Sequence, residues 1–243
     1  MKRRNREFKA LARQALQGHF SLYAGAVILL FAFSTLLSNI SALFVSSDLN
    51  MSDFFTELLV NFIVAVLTYL FEIGLYAMLL HMIRGEDFGM GDLFYAFKHG
   101  PDRFIIVSGI QLLITLLLEA PALFYTYMSK LSSVSDFAVY GILLLAGSLL
   151  SVILLLGFMP AVYLLIDDED LDAMEAIHES FSMMRGQKVR YLLLRLSFIG
   201  MLCLAVLSLG IALIWLTPYM EATSIFFYLE LNGEPDAPGR MEA

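Results

Sequence analysis

Apolar residues fall in long runs, and charges gather in the short gaps between them. No Asp, Glu, Lys or Arg occurs between Arg13 and Asp48, or between Asp136 and Asp167. One acid, Glu72, interrupts the stretch from Glu57 to Arg84, and one, Glu119, the stretch from Arg103 to Lys130. From Tyr191 to Tyr228 only Arg195 and Glu221 are charged. A hydrocarbon core of about 30 Å takes roughly 20 apolar residues as a helix. Each of the first four stretches is long enough to cross once, and the last is long enough to cross twice. The runs lack period-two alternation and are too long for barrel strands. The pattern predicts an all-α, polytopic membrane protein with six transmembrane helices.

The polar gaps carry a pattern of their own. Residues 8–18 place Phe8, Leu11, Ala12, Ala15 and Leu16 on one helical face. Residues 90–100 do the same with Met90, Phe94 and Phe97, and residues 172–186 with Met174, Ile177, Phe181 and Met184. Each segment is too short to span, and each opposes its apolar face with charge, as helices lying in an interface do. Each ends at a glycine, Gly18, Gly100 or Gly186, the usual residue where a helix ends in a left-handed turn. A long apolar run follows each one.

The expected unit is therefore a short cytoplasmic amphipathic helix, a glycine, an outward span and a returning span. It occurs three times in parallel, over about 1–83, 84–166 and 167–231, within one membrane domain of residues 1–243. Outward spans are expected near 20–44, 104–128 and 191–209, and returning spans near 58–83, 138–166 and 212–231. Gly210 is the expected turn of the last pair, because a turn at Thr217 and Pro218 leaves too few residues to return. Pro218 is then expected to kink the sixth helix. Residues 232–243 read as a polar cytoplasmic tail.

Charge adds an orientation. The net charge is −8, but topology follows Lys and Arg rather than net charge. Lys2, Arg3, Arg4, Arg6, Lys9 and Arg13 precede the first run; Arg84, Lys98 and Arg103 flank the second gap; Arg185, Lys188, Arg190 and Arg195 flank the fourth. Of these residues, the first and third gaps hold only Lys130. Multi-pass insertion in the cell (plasma) membrane with a cytoplasmic amino terminus follows, and six crossings return the carboxyl end to the same side. The one cysteine, Cys203, permits no disulfide within the chain. The basic residues carry no interleaved aromatic ladder, so no nucleic acid is expected.

Two acidic groups carry candidate chemistry. Asp167, Asp168, Glu169 and Asp170 follow the fourth run, and carboxylates of this kind suit magnesium. Such a site needs a second, facing cluster, and the chain has none, so Asp167, Asp168 and Asp170 are weak metal candidates. A boundary with Asp172 as helix cap and Glu175 three residues on accounts for the acids without metal. No catalytic set and no cofactor site is expected. His178-Glu179 lacks the second histidine of a zinc protease motif, since position 182 is Ser. His19, His81, His99 and His178 read as boundary residues of the cytoplasmic regions.

Glu72, Glu119 and Glu221 are the second group. Acids within a bilayer are expensive and tend to face the bundle interior, where they mark ion or proton paths. Each lies in a different unit and near a glycine or proline: Gly74, Pro121 or Pro218. They are the candidate ion or proton sites. Hydrogen bonding to Ser, Thr and Tyr neighbours is the plainer account. Arg195 and His81 are the basic groups within reach, and Asn61 and Gln111 add polarity on neighbouring spans.

The carboxyl half, residues 172–231, has Met-Arg-Gly before a basic patch, Leu-Ser-Phe-Ile-Gly, and Leu-Gly-Ile followed by Trp, Pro-Tyr-Met and Phe-Tyr. It resembles a bacterial family of integral membrane proteins called domain of unknown function 975. RGEDFGMGDLFYAFKHG at 84–100 and the basic helix ending at Gly18 extend the resemblance over nearly the whole chain. It implies a polytopic bacterial membrane protein and transfers no reaction or catalytic residue. The leading expectation is a non-enzymatic scaffold, accessory or envelope-associated protein, partnered by the lipid bilayer and by a membrane protein or a second copy. The alternatives are a small transporter or channel using the intramembrane acids, and a lipid-modifying enzyme at the inner interface.

Overall fold

The computed structural model describes residues 3–42, 51–129 and 133–234. Lys2, the gaps at 43–50 and 130–132 with Lys130, and the expected tail from 235 with Arg240 lie outside the described residues. Among the described residues every regular element is helical. α1 (Asn5–Leu16) leads into α2 (Phe20–Ala42). α3 (Met51–Arg84) is followed by a 3-10 turn, Met90–Phe94, and the single-turn α4 (Tyr95–Lys98). α5 (Pro101–Ser129) pairs with α6 (Val134–Leu155), which passes through a 3-10 turn at Leu156–Phe158 into α7 (Met159–Asp167). α8 (Ala173–Met183), α9 (Lys188–Leu196), α10 (Ile199–Leu207) and α11 (Leu213–Leu231) follow.

Among the described residues, five stretches are long and apolar enough to cross a membrane: Phe20–Asn39, Leu58–Arg84, Pro101–Thr126, Val134–Asp167 and Lys188–Leu207. They coincide with the first five expected spans. Their outward faces carry Phe31, Leu117, Ile142, Leu145 and Leu149, all exposed. Apolar surface on this scale suits lipid rather than water. α11 covers the expected sixth span but is not among the five. Glu221, Glu230, Pro218 and several hydroxyl residues dilute its apolar character, and its second half, Ala222 to Leu229, is enclosed by protein.

The core lies where three segments end. α3 from Ile73 to Ile83, α7 from Pro160 to Ile166 and α11 from Ala222 to Leu229 are almost wholly buried. One polar knot ties their ends. Arg84 donates two hydrogen bonds to Asp167, at 2.6 and 2.9 Å. Tyr228 donates to the same carboxylate at 2.5 Å, and Arg84 also reaches Glu234 at 3.2 Å. A planar guanidinium suits this bidentate geometry.

The expected helix-ending glycines adopt the left-handed conformation, with φ of 89° at Gly18, 76° at Gly100 and 74° at Gly186. Gly210, φ 89°, makes the turn between α10 and α11, and α11 runs on through Pro218. The short polar segments depart further from expectation. α1 buries Phe8, Ala12 and Leu16, but against protein. It runs antiparallel to α11: Arg3 meets Glu230, Phe8 packs on Phe227 with ring centroids 5.7 Å apart, and Arg13 lies over Tyr219.

Residues 90–100 do not form one amphipathic helix. Leu93, Tyr95 and Ala96 are buried, while the expected Met90, Phe94 and Phe97 stay exposed. Gly74 explains the inversion. A Cβ there would lie 2.4 Å from the Leu93 carbonyl oxygen, so the missing side chain lets the turn press onto α3. α8 is capped by Asp172, which accepts from the Met174 amide at 3.0 Å. Its buried face is Ala173, Ala176 and Ser180; of the expected set only Met184 is fully enclosed. Small residues let α8 approach the turn before α7, where Ser180 donates to the Gly157 carbonyl at 2.6 Å.

Candidate functional site

A cavity of about 480 Å³ opens between α3, α5, α7, α9 and α11. Helical spacing builds its polar wall. Tyr69, Glu72 and Tyr76 stand at i, i+3 and i+7 on α3, the spacing of one helical face. Tyr69 and Tyr76 line the cavity; Gln111 of α5 lies beside the Tyr69 hydroxyl, and α7 contributes Tyr163. Tyr191 and Arg195, one turn apart on α9, face Glu221 of α11.

These groups form a connected chain. Arg195 donates from Nη1 to Glu221 Oε1 at 2.9 Å and to Ser224 Oγ at 3.3 Å. Tyr191 OH and Ser224 Oγ are 3.1 Å apart. Pairing Glu221 with Arg195 removes much of the penalty of placing either charge away from water. Glu72 is an electrostatic neighbour of Glu221 and of Tyr23. Among the described residues Glu72 has no ion pair, and the buried Tyr23 hydroxyl has no hydrogen-bond partner. Two carboxylates, one guanidinium and several phenols thus share one buried region. Such a set can hold a small polar guest, and it offers ring faces to a cation.

The sequence candidates separate accordingly. Glu72 and Glu221 come together, whereas Glu119 stands apart on α5. Ser148 of α6 approaches Glu119 at 3.5 Å, beside a tight contact where a Cβ on Gly147 would meet the Leu118 carbonyl oxygen at 2.5 Å. Glu119 belongs to the α5–α6 hairpin. The acid run takes part in fixing a turn. Asp167 is held in the knot; Asp168 accepts from the Asp170 amide at 2.9 Å. Arg103 gathers the carbonyls of His99, Asp168 and Leu171 at 2.8 to 3.0 Å. Among the described residues no group of three or more His, Cys, Asp or Glu is placed to hold a metal.

His81 and His99 both pack on Tyr95, with centroids 5.7 and 4.2 Å from its ring, and His19 packs on Phe88. The tyrosines of the cavity and the carbonyl-gathering role of Arg103 are what sequence reasoning missed. The signal for the first was present in the i, i+3, i+7 spacing on α3.

Among the described residues, five helical stretches long and apolar enough to cross a membrane suit a helical, membrane-embedded protein. The chain belongs to the family described as protein of unknown function (DUF975), whose model matches residues 1–234. No curated protein and no solved structure matches it.

Proposed function

We propose that this is a non-enzymatic, multi-pass protein of the cell membrane that binds a small polar solute in the cavity beside Arg195 and Glu221. The observation that supports this reading is the meeting of Glu221 and Arg195 at open space rather than in solid packing, with Glu72 as the electrostatic neighbour of Glu221. It moves the transporter or channel reading ahead of the scaffold reading that the sequence alone favours. Six crossings, with α11 as the sixth and both ends cytoplasmic, belong to the same proposal. So does an arrangement of three helix-pair units, supported by the convergence of α3, α7 and α11 at one knot.

Carbodiimide labelling tests it, since the reagent modifies carboxyl groups that are protonated in apolar surroundings. The purified protein in lipid is labelled from about pH 5 to about pH 9 and read by mass spectrometry. The expected result is labelling at Glu72 that is suppressed by one member of a panel of inorganic ions, amino acids and polyols. Labelling that ignores every member, or no labelling at all, returns the scaffold reading to the front. The knot of Arg84, Asp167, Tyr228 and Glu234 favours that second reading, because it fixes the geometry of a platform for a partner protein or a second copy.

A further inference from the structure

A second cavity, of about 550 Å³, lies on the other side of α11, between the end of α1 and the α10–α11 hairpin. Its floor and far wall are apolar: Leu16 and Phe20 from the start of the chain, Leu204 from α10, and Trp215 and Leu216 from α11. Leu204 is 60% exposed and Trp215 53% exposed, so this wall continues the lipid-facing surface of the helices. The near rim is polar. Arg13 stands in the last turn of α1 and Gln17 just past its end, and Arg13 lies over the Tyr219 ring at 6.0 Å. Lys9, one turn earlier, is already committed: it donates to the Ser197 carbonyl at 2.9 Å and sits 3.9 Å from the centre of the Phe198 ring. Burial lowers the Lys9 pKa from the usual lysine value. Arg13 remains exposed at the mouth of the groove.

We propose that this groove holds one anionic phospholipid, its phosphate at Arg13 and Gln17 and an acyl chain along Leu204, Trp215 and Leu216. Three observations converge on that occupant. The walls are continuous with surface that lipid covers. The charge at the rim is cationic, and an arginine complements a phosphate in shape as well as charge. The Tyr219 ring lies under Arg13, where the apolar wall meets the cationic rim. The site is separate from the polar cavity and does not depend on what that cavity binds.

Trp215 is the chain's one tryptophan and lines the groove, so it reports occupancy directly. The protein is placed in vesicles of equal phosphatidylglycerol and phosphatidylcholine. Either lipid carries brominated acyl chains, and quenching of Trp215 fluorescence is measured. One arginine near a membrane surface supplies about a fivefold preference for the anionic lipid, so brominated phosphatidylglycerol is expected to quench more strongly by that ratio. Arg13→Gln is expected to bring the ratio close to unity, while Arg185→Gln, at the exposed end of α8, keeps it. Helical circular dichroism of each variant confirms that the fold is retained. Equal quenching by the two lipids in the unaltered protein overturns the proposal. So does a preference that survives Arg13→Gln, or one abolished by free inorganic phosphate at fixed ionic strength.

Discussion

At the scale of single residues, the pair formed by Arg195 and Glu221 is the most consequential. Exposed ion pairs contribute about 1 kcal/mol or less, whereas breaking a buried one costs about 3–5 kcal/mol. This pair is intermediate, with side chains 34% and 16% exposed. Arg195→Gln is therefore expected to cost about 2 kcal/mol, read as a lowered thermal midpoint in detergent. Glu119→Gln is expected to change the midpoint little, because the bond from Ser148 is long. Equal effects from the two changes would place both acids in one network, contrary to their separation here. The acids themselves were legible in the sequence, since a lone charge in an apolar run is conspicuous. So was Arg195 as a basic group within reach. Their sorting was not legible. Which acids meet depends on how α3, α9 and α11 turn toward one another, and that is set by packing rather than spacing.

At the scale of elements, two glycines decide how helices approach. A Cβ on Gly74 meets the backbone of Leu93, and one on Gly147 meets the backbone of Leu118. Backbone gives way less readily than a side-chain tip, so Gly74→Ala and Gly147→Ala are each expected to cost about 1–3 kcal/mol. Gly200 of α10 has no neighbour within 4 Å of the same position. Gly200→Ala is expected to be neutral or to stabilise by up to about 1 kcal/mol through helix propensity. Thermal unfolding of the three variants separates these outcomes. The long helices and the glycine stops were readable, because apolar run length and chain termination are local properties. The faces of 90–100 and 172–186 were misread for one reason. Their periodicity marks an apolar stripe, but close packing chose a neighbouring face: Leu93, Tyr95 and Ala96 in the first segment, and Ala173, Ala176 and Ser180 beside Met184 in the second, with Met90, Phe94, Phe97 and Met174 left exposed.

At the scale of the whole molecule, the knot joins the ends of α3, α7 and α11, which lie far apart in sequence. Asp167→Asn removes the negative charge and one of the two acceptor oxygens that Arg84 and Tyr228 share. Hydrogen exchange is expected to rise together at the ends of α3 and α11 while the α5–α6 hairpin is unaffected; a rise confined to α7 would mean that the knot joins nothing. In a double-mutant cycle with Arg84→Gln, a coupling of about 1–3 kcal/mol is expected for groups in direct contact. The pairing of α1 with α11 bears on how the chain is made. α1 leaves the ribosome long before α11, and until α11 arrives Phe8, Ala12 and Leu16 lack the helix that covers most of their face. Joining the two ends is therefore a late event of assembly, and the ordering of α1 serves as a mark of completion. A chain stopped after Gly210 would still carry every helix up to α10, yet it would display an uncovered apolar face on its first helix, the kind of surface that proteolytic surveillance recognises.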